Sequence, residues 1–426
     1  MNMNLYGHNG QWLLVDCGMT FNEPLSPEDS KLHELVTANP EFIVERNDQL
    51  AGLVITHAHE DHIGAVAALW PKLQCPVYGS KFTLEVLRNK LRGKLEGKVP
   101  LQEIESNKPV SIGNFQVEWL PVTHSVPESH AILLRTDAGT VLHTADWKID
   151  PDPVIGAPFN ADQFKELGNE NISAMVCDST NSTRPGHSES EGDCYEGLLK
   201  YVEQAKGKVV VSCFGSNIAR LITLGRIANR TGRYMAVMGR SMHTMVRSAK
   251  RAGIWPKDVK LTETNHLAYL PPEEVLAVAT GSQGEPRTAL NRLANDRFYD
   301  FDIKEGDTVI FSSMVIPGNE LAVQRMVDQL KRKKIEVIEA AEVDELIHAS
   351  GHPCADEVAE LYRWVKPALA VPVHGEREHL LANASIARRS GVPRQLTGKN
   401  GDLFVLNDPA VRINQVKTGR IAITQD

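Results

Sequence analysis

Three histidines and an aspartate, His57, His59, Asp61 and His62, stand within six positions of THAHEDHIGA (residues 56–65), directly after the apolar run LAGLVI. The run reads as a buried strand, so the polar donors begin where the strand ends. In an extended segment His57 and His59 alternate back to the same side, while Asp61 and His62 open the next helix and turn back over them. Imidazole and carboxylate groups suit zinc, and more than four candidates about one place suggest two ions rather than one. A solvated polar loop is the plain alternative, but it gives no reason for four such donors to crowd directly behind a buried strand.

Other strands repeat the arrangement. Asp16 closes QWLLVD, His124 follows WLPVT, Asp146 follows VLHTA, Asp178 follows AMVC and His374 follows LAVPV. Side chains placed where strands run out converge on one rim of a sheet, a usual place for a site in α/β and sandwich proteins. Residues 11–180 otherwise read as strands broken by turns, with AILLRT and TVLHT forming a hairpin about Asp137-Ala138-Gly139. Helices are expected over His62–Trp70, stopped by Pro71, and over Leu84–Leu95.

After the polar loop STNSTRPGHSESEGD the pattern changes. Short β runs (KVVVSCF, YMAVMG, EVLAVAT, DTVIFSS, IEVIEA) alternate with helix-like stretches (IARLITLGRIAN, NELAVQRMVDQLKRKK, ADEVAELYRWV), as in a parallel sheet with crossover helices. PALAVPVHG, FVLN and RIAIT return to the earlier style. This predicts a discontinuous domain, residues 1–180 with 348–426, interrupted by a second α/β domain at residues 181–347; the 426 residues suffice for two such cores.

No apolar run approaches the ~18 residues that span a bilayer, and MNMNLYGHNGQ lacks the basic and apolar regions of a secretion signal, so no membrane partner and a cytoplasmic location are expected. The six cysteines form no C-x-x-C pair and read as reduced core residues. Charge is uneven: Lys206 to Lys260 holds twelve Lys or Arg against one acid, Asp258, while the whole chain carries −8. Such a stretch points to a polyanionic partner. The run KRKK at 331–334 reads instead as a solvated helix end.

His57-x-His59-x-Asp61-His62 resembles the signature of the metallo-β-lactamase fold, and by position His124 in VTHS and Asp146 in TADWKID resemble the later ligands of its dinuclear zinc site. CDSTNS around Asp178, ASGH ending at His352 and PVHGE around His374 resemble the three further motifs of the β-CASP nucleases. CFGSNIAR, ATGSQGEP, VIPGNE and LIHASGH resemble segments of the ribonuclease J branch. The resemblance implies an α/β protein, a metallo-β-lactamase αββα sandwich with an inserted β-CASP α/β domain. It implies two Zn2+ per chain, with Mn2+ accepted by the same donors: His57, His59 and His124 on one ion, Asp61, His62 and His374 on the other, and Asp146 bridging. It also implies a ribonuclease acting 5′→3′ on single-stranded RNA, with endonuclease activity and a preference for 5′-monophosphate ends, in rRNA processing and mRNA decay. A homodimer or homotetramer is expected. Members of the branch carry a strand and a Gly-rich loop ahead of the region matching MNMNLYGH and a C-terminal domain after RIAITQD, so the chain is expected to be a fragment or a short form, or its start to be misassigned.

His352 ends the small-residue turn Ala349-Ser350-Gly351, whose backbone N–H groups can face a phosphate. It is expected to protonate the leaving 3′ oxygen, with Asp178 orienting it, and Asp16 to prop the ligand loop through hydrogen bonds. His348, Ser350 and Gly351 are candidates for a terminal phosphate, and Ser216, Asn217 and Arg220 for the strand backbone; a helix cap and a surface arginine are the ordinary reading of that last trio. The basic stretch would roof the metal floor and clamp a single strand. RNA and DNA differ by contacts to the 2′-OH, which the sequence leaves open. A DNA-processing β-CASP nuclease and a non-catalytic RNA-binding scaffold are the alternatives, the second opposed by the presence of all seven metal donors.

Overall fold

The structure, a computed structural model, describes residues 1–21, 35–316, 318–406, 411–413 and 415–423. Pro317 of VIPGNE, Asn407 of FVLN and Thr424 of RIAIT lie outside the described residues.

Period-two strands with both faces apolar need cover on both sides, and the fold provides it in four layers. One sheet runs Asn4–His8, Gln11–Val15, Leu50–Val54, Val77–Gly79, Leu101–Glu103, antiparallel in its first pair and parallel beyond it. The second has seven strands, with Ile172–Asp178 flanked in parallel by Gly139–His143 and Leu369–Val373. Leu13, Val15 and Val54 of the first sheet pack against Trp119, Ile132, Leu134 and Val176 of the second. The alternate residues Leu14 and Leu53 turn outward onto Leu69, Phe82 and Leu87 of the helices Val66–Leu73 and Lys81–Lys90. On the opposite outer face Leu133, Leu142 and Met175 meet Phe164, Leu361, Tyr362 and Ile386 of the helices Ala161–Leu167, Ala355–Val365 and Arg377–Arg389. The order helix, sheet, sheet, helix is the expected sandwich.

A third, fully parallel sheet takes all its strands from residues 209–339, in the order Tyr234–Met238, Val275–Ala279, Val209–Ser212, Thr308–Phe311, Glu336–Glu339. Before this excursion the chain leaves strand Ile172–Asp178, and it returns through Leu369–Val373, which lies beside it with Asp178 opposite Val373. The excursion leaves at the Asp178 end of that strand and comes back to the same rim at Ser350 and His352, which meet Asn181 and Asp178, before helix Ala355–Val365 leads to Leu369. A second attachment joins helix Lys81–Lys90 to helix Arg240–Ala252, where Asn89 Nδ2 donates to Ser248 Oγ at 3.0 Å.

The hairpin forms as read, with Thr136 paired to Gly139 across Asp137-Ala138. The helix expected over His62–Trp70 is instead two pieces, Glu60–Ile63 and Val66–Leu73. Cys17 enters the helical ladder at the break: its N–H donates to His62 O at 2.7 Å and its carbonyl accepts the Ala65 N–H at 3.0 Å, an insertion that interrupts a helix locally. Pro71 does not stop the second piece, which ends at Gln74 in the left-handed region; burial of Leu69 and Leu73 on either side offsets the lost backbone bond. The helix expected over Leu84–Leu95 runs Lys81–Lys90, because Ser80 Oγ caps it by accepting the Thr83 N–H. All six cysteines are free and buried.

Gly18 follows the intruding Cys17, and a Cβ there would fall 1.7 Å from the carbonyl oxygen of Asp61. Backbone cannot yield that much locally, so Gly18→Ala is expected to cost about 1–3 kcal/mol and to displace the Asp61 loop. Urea denaturation and metal content check this; unchanged midpoint and metal occupancy would show that the close approach constrains nothing.

Candidate metal centre

Six donors of the site stand at or just past strand ends: His57 and His59 after Leu50–Val54, His124 after Phe115–Pro121, Asp146 after Gly139–His143, Asp178 at the end of Ile172–Asp178, and His374 after Leu369–Val373. His57 Nε2 and His124 Nε2 lie 3.1 and 3.0 Å from His59 Nδ1, and Asp146 Oδ2 lies 3.7 and 3.8 Å from the same His57 and His124 atoms. Hydrogen bonding alone does not satisfy this group, since His59 Nδ1 offers one hydrogen or one lone pair to two ring nitrogens. A four-coordinate cation with bonds of roughly 2.0–2.2 Å sets its donors about 3.3–3.6 Å apart, and the observed spacings bracket that range. The residues present therefore fit a metal ion.

A second set adjoins the first. His62 Nε2 is 3.4 Å from Asp61 Oδ2 and 3.2 Å from Asp146 Oδ2, while His374 Nε2 is 3.2 Å from Asp61 Oδ2 and 3.7 Å from Asp146 Oδ1. Asp146 belongs to both sets. It also joins Asp178, His352 and His374 in a third grouping of donors within 4.8 Å of one another, in which the His352 ring already hydrogen-bonds outward through Nδ1 to Asp178 Oδ2 at 2.8 Å. That leaves His352 Nε2 facing Asp146 Oδ2 across 4.0 Å.

Outer hydrogen bonds hold the rings in these attitudes, the arrangement that fixes which nitrogen of a histidine meets a metal. His62 Nδ1 donates to Asp16 Oδ2 at 2.7 Å, and Asp16 also accepts the Thr56 N–H and hydroxyl. His57 Nδ1 is 3.0 Å from Thr56 Oγ1. The Gly351 carbonyl accepts from His124 Nδ1. His374 Nδ1 lies 2.7 Å from Thr180 Oγ1, which also donates to Asp178 Oδ1 at 2.7 Å.

Electrostatics divide the rings into two kinds. Burial, reinforced by neighbouring imidazoles, holds His57 and His124 well below the usual histidine range and His59 down to about 4, so their lone pairs are free at neutral pH. At His62 and His374 burial acts in the same direction, but Asp146 and the other nearby carboxylates outweigh it and raise both. His352 is likewise raised, burial being outweighed by Asp178 and then Asp146. Asp146 and Asp61 stay ionised although buried, because of the imidazoles around them.

The remaining candidates are placed unevenly. Ser350 Oγ accepts from Asn181 Nδ2 at 2.9 Å, and Gly351 abuts the His124 ring. His348 is half-buried with Nδ1 unpartnered, and burial holds its ring down at about 3. Ser216 is half-buried, whereas Asn217 is the buried cap of helix Ile218–Thr231, its Oδ1 accepting the Arg220 N–H. Arg220 corrects the sequence reading outright: its side chain is fully buried against Glu191, with no surface to offer a strand. Cations counted along a sequence carry no information on depth. Arg233 is lost to the basic surface in the same way, donating to the carbonyls of Gly207, Val275 and Ala205. Thr56, directly before His57, and Thr180, two residues after Asp178, also hold the site, and their closeness to strand-end donors is a signal in the sequence. Asn2, whose Nδ2 lies 3.2 Å from Asp61 Oδ2, and Asn383, whose Nδ2 donates to the Asp178 carbonyl at 2.8 Å, had no local signal.

Three family models match the chain: the metallo-beta-lactamase superfamily over residues 2–166, the ribonuclease J beta-CASP domain over residues 206–330, and the Zn-dependent metallo-hydrolase RNA specificity domain over residues 324–393. A curated relative from Sinorhizobium meliloti named ribonuclease J is 39% identical over 427 residues, 99% of this chain and 75% of its own length. Ribonuclease J of Mycolicibacterium smegmatis is 37% identical, over 92% of this chain and 69% of its own. Ribonuclease J of Mycobacterium tuberculosis is 35% identical, over 94% and 71%. Among solved structures, a protein of unknown function from Enterococcus faecalis superposes with a TM-score of 0.63 at 15% identity, covering 99% of this chain and 96% of its own; that likeness concerns the fold alone.

Asp16 bonds the His62 ring directly and reaches His57 through the Thr56 hydroxyl. Asp16→Asn removes the charged acceptor that fixes the His62 ring, and metal affinity is expected to fall by about 10–100-fold. Competition with a calibrated chelator checks this; an affinity within twofold of the parent would mean that the ligand loop holds His62 unaided.

Proposed function

The chain belongs to the ribonuclease J family, and from that premise we propose that it is a metal-dependent ribonuclease hydrolysing single-stranded RNA. It acts 5′→3′ as an exonuclease, with endonuclease activity, on ends carrying a 5′-monophosphate, in the cytoplasm. The observation that carries the reading is the position of Asp146, shared by two donor sets and faced by the ring of His352. We assign His57, His59, His124 and Asp146 to one Zn2+ and Asp61, His62, His374 and Asp146 to a second, Mn2+ being acceptable to both. Bound there, the ions supply Lewis acidity toward phosphoryl oxygens and activate water at neutral pH.

The chain's own residues do the rest. Asp178 accepts the Nδ1–H of His352, so the proton that can be given away sits on Nε2, facing the site. Asp178 and then Asp146 outweigh burial and raise this ring above the usual histidine range, which favours the protonated form that a general acid at the leaving 3′ oxygen needs. We assign the terminal phosphate to His348, Ser350 and Gly351 of the turn beside His352, where both side chains are half-buried. Residues 181–347, as a β-CASP unit on a sandwich of residues 1–180 and 348–426, present exposed Arg240, Arg247 and Lys250 to the strand. Presence of the whole donor set supports an enzyme over a scaffold.

Matched RNA and DNA oligonucleotides, each with 5′-phosphate or 5′-OH, test the proposal. Faster cleavage of 5′-phosphorylated RNA is expected, and equal or faster cleavage of DNA overturns it. The logarithm of the affinity for single-stranded RNA should fall linearly with log salt; a flat response removes the basic surface from binding.

Elemental analysis of protein never exposed to chelator should find close to two zinc or manganese ions per chain. His374→Ala should lower that occupancy, because its Nε2 belongs to the second donor set. His352→Ala should keep both ions and lose turnover by about 10²–10⁴-fold, with a smaller loss on a nitrophenyl phosphodiester, whose leaving group needs no proton. Equal slowing of both substrates with metals intact would disprove the acid role.

A further inference from the structure

Arg220 lies in the first turn of helix Ile218–Thr231, fully buried. A cation is disfavoured both there, by the helix dipole, and in the interior, by desolvation. Glu191 offsets this with a two-point contact, Nε to Oε1 at 2.8 Å and Nη2 to Oε2 at 3.1 Å. Buried ion pairs of this kind are often no more stabilising than apolar residues of the same volume, so the use of this one lies in the direction it imposes. Its third nitrogen, Nη1, donates to the carbonyl of Ile347 at 2.9 Å and also reaches the hydroxyl of Ser312, which itself donates to the Ile347 carbonyl at 2.7 Å. The Ile347–His348 peptide opens the turn that carries His348, Ser350, Gly351 and His352.

The other side of Glu191 leads to the metal ligands. Its N–H donates to Asp150 Oδ2 at 3.0 Å, and the same oxygen is 2.8 Å from Lys148 Nζ. Lys148 is buried two residues after Asp146, and its N–H donates to the carbonyl of Thr123, the residue before His124. A continuous buried chain thus runs from the loops of His124 and Asp146 through Lys148, Asp150, Glu191 and Arg220 to the peptide before His348.

We infer that Arg220 is a positioning residue: clamped by Glu191, its guanidinium sets the Ile347–His348 peptide and so registers the His348–His352 turn against the metal-ligand loops. The consequence for catalysis rests on the proposed role of His348 and Ser350 in holding a 5′-phosphate.

The test uses the full chain with metals bound and two variants. Arg220→Met/Glu191→Leu removes both charges and leaves no unpaired ion in the core. Arg220→Lys keeps the charge, but one ammonium cannot span Glu191 and the Ile347 carbonyl as a guanidinium does. Hydrogen exchange of the peptide covering residues 343–354 should speed up by roughly tenfold or more in both, with metal content unchanged. The ratio of kcat/KM for 5′-phosphorylated over 5′-OH RNA should fall by roughly 10–100-fold in the double variant and less in Arg220→Lys. His348→Ala is run beside them. If it lowers the ratio and the Arg220 variants alter neither exchange nor ratio, the inference is overturned and the phosphate reading stands. If exchange rises but neither His348→Ala nor the Arg220 variants move the ratio, the positioning role stands and the phosphate reading fails. Should the double variant not fold, unchanged exchange in Arg220→Lys still overturns the inference.

Discussion

A carboxylate buried among imidazoles is the constraint around which the molecule is arranged. The oxygens of Asp146 have ring nitrogens of His57, His62, His124, His352 and His374 within 4.0 Å. Desolvation disfavours every charge in such a place, and like charges on the rings add to the penalty. The group persists because its members divide the work: some rings stay neutral with lone pairs turned inward and others lean on carboxylates, and a cation bound among them would satisfy both kinds. Nothing in the local sequence supplies that balance, since the five histidines come from four separate parts of the chain.

Bringing those parts together is the work of the two central sheets. Strands that run in parallel end on the same rim, so Asp178 and His374, at the close of neighbouring parallel strands, meet there although 196 positions separate them. The excursion between them leaves and returns at that rim, and its segments on the way out and back carry Thr180, Asn181, Glu191 and His348 to His352. Polar residues on these crossings serve twice, tying the third sheet down and bordering the donors.

Charge reads differently in one dimension and in three. The stretch from Lys206 to Lys260 is strongly basic in the sequence, yet Arg220 and Arg233 are spent inside, bonding carbonyls and one carboxylate. Arginine suits that service, with five donors in a fixed fork that can satisfy several acceptors at once. A count of cations overstates the surface by those that fold inward, and periodicity could have warned of it: Arg220 falls between Ala219 and Leu221 in a helix buried almost all round at its first turns.

Sequence alone pointed to the candidate donors and to the fold class. Most candidate donors stand at the ends of apolar runs, and the alternation of β runs with helical stretches names the parallel sheet, because burial period and strand termini are local properties that a chain cannot conceal; the sandwich followed from the resemblance that the histidine motif carries. The broken helix at Gly64 and the inward turn of Arg220 were decided only by tertiary structure. In each of these a partner distant in sequence, such as Cys17 for the helix ladder or Glu191 for the guanidinium, outweighs the local preference, and hydrogen bonds in a dry interior are strong enough to make it do so.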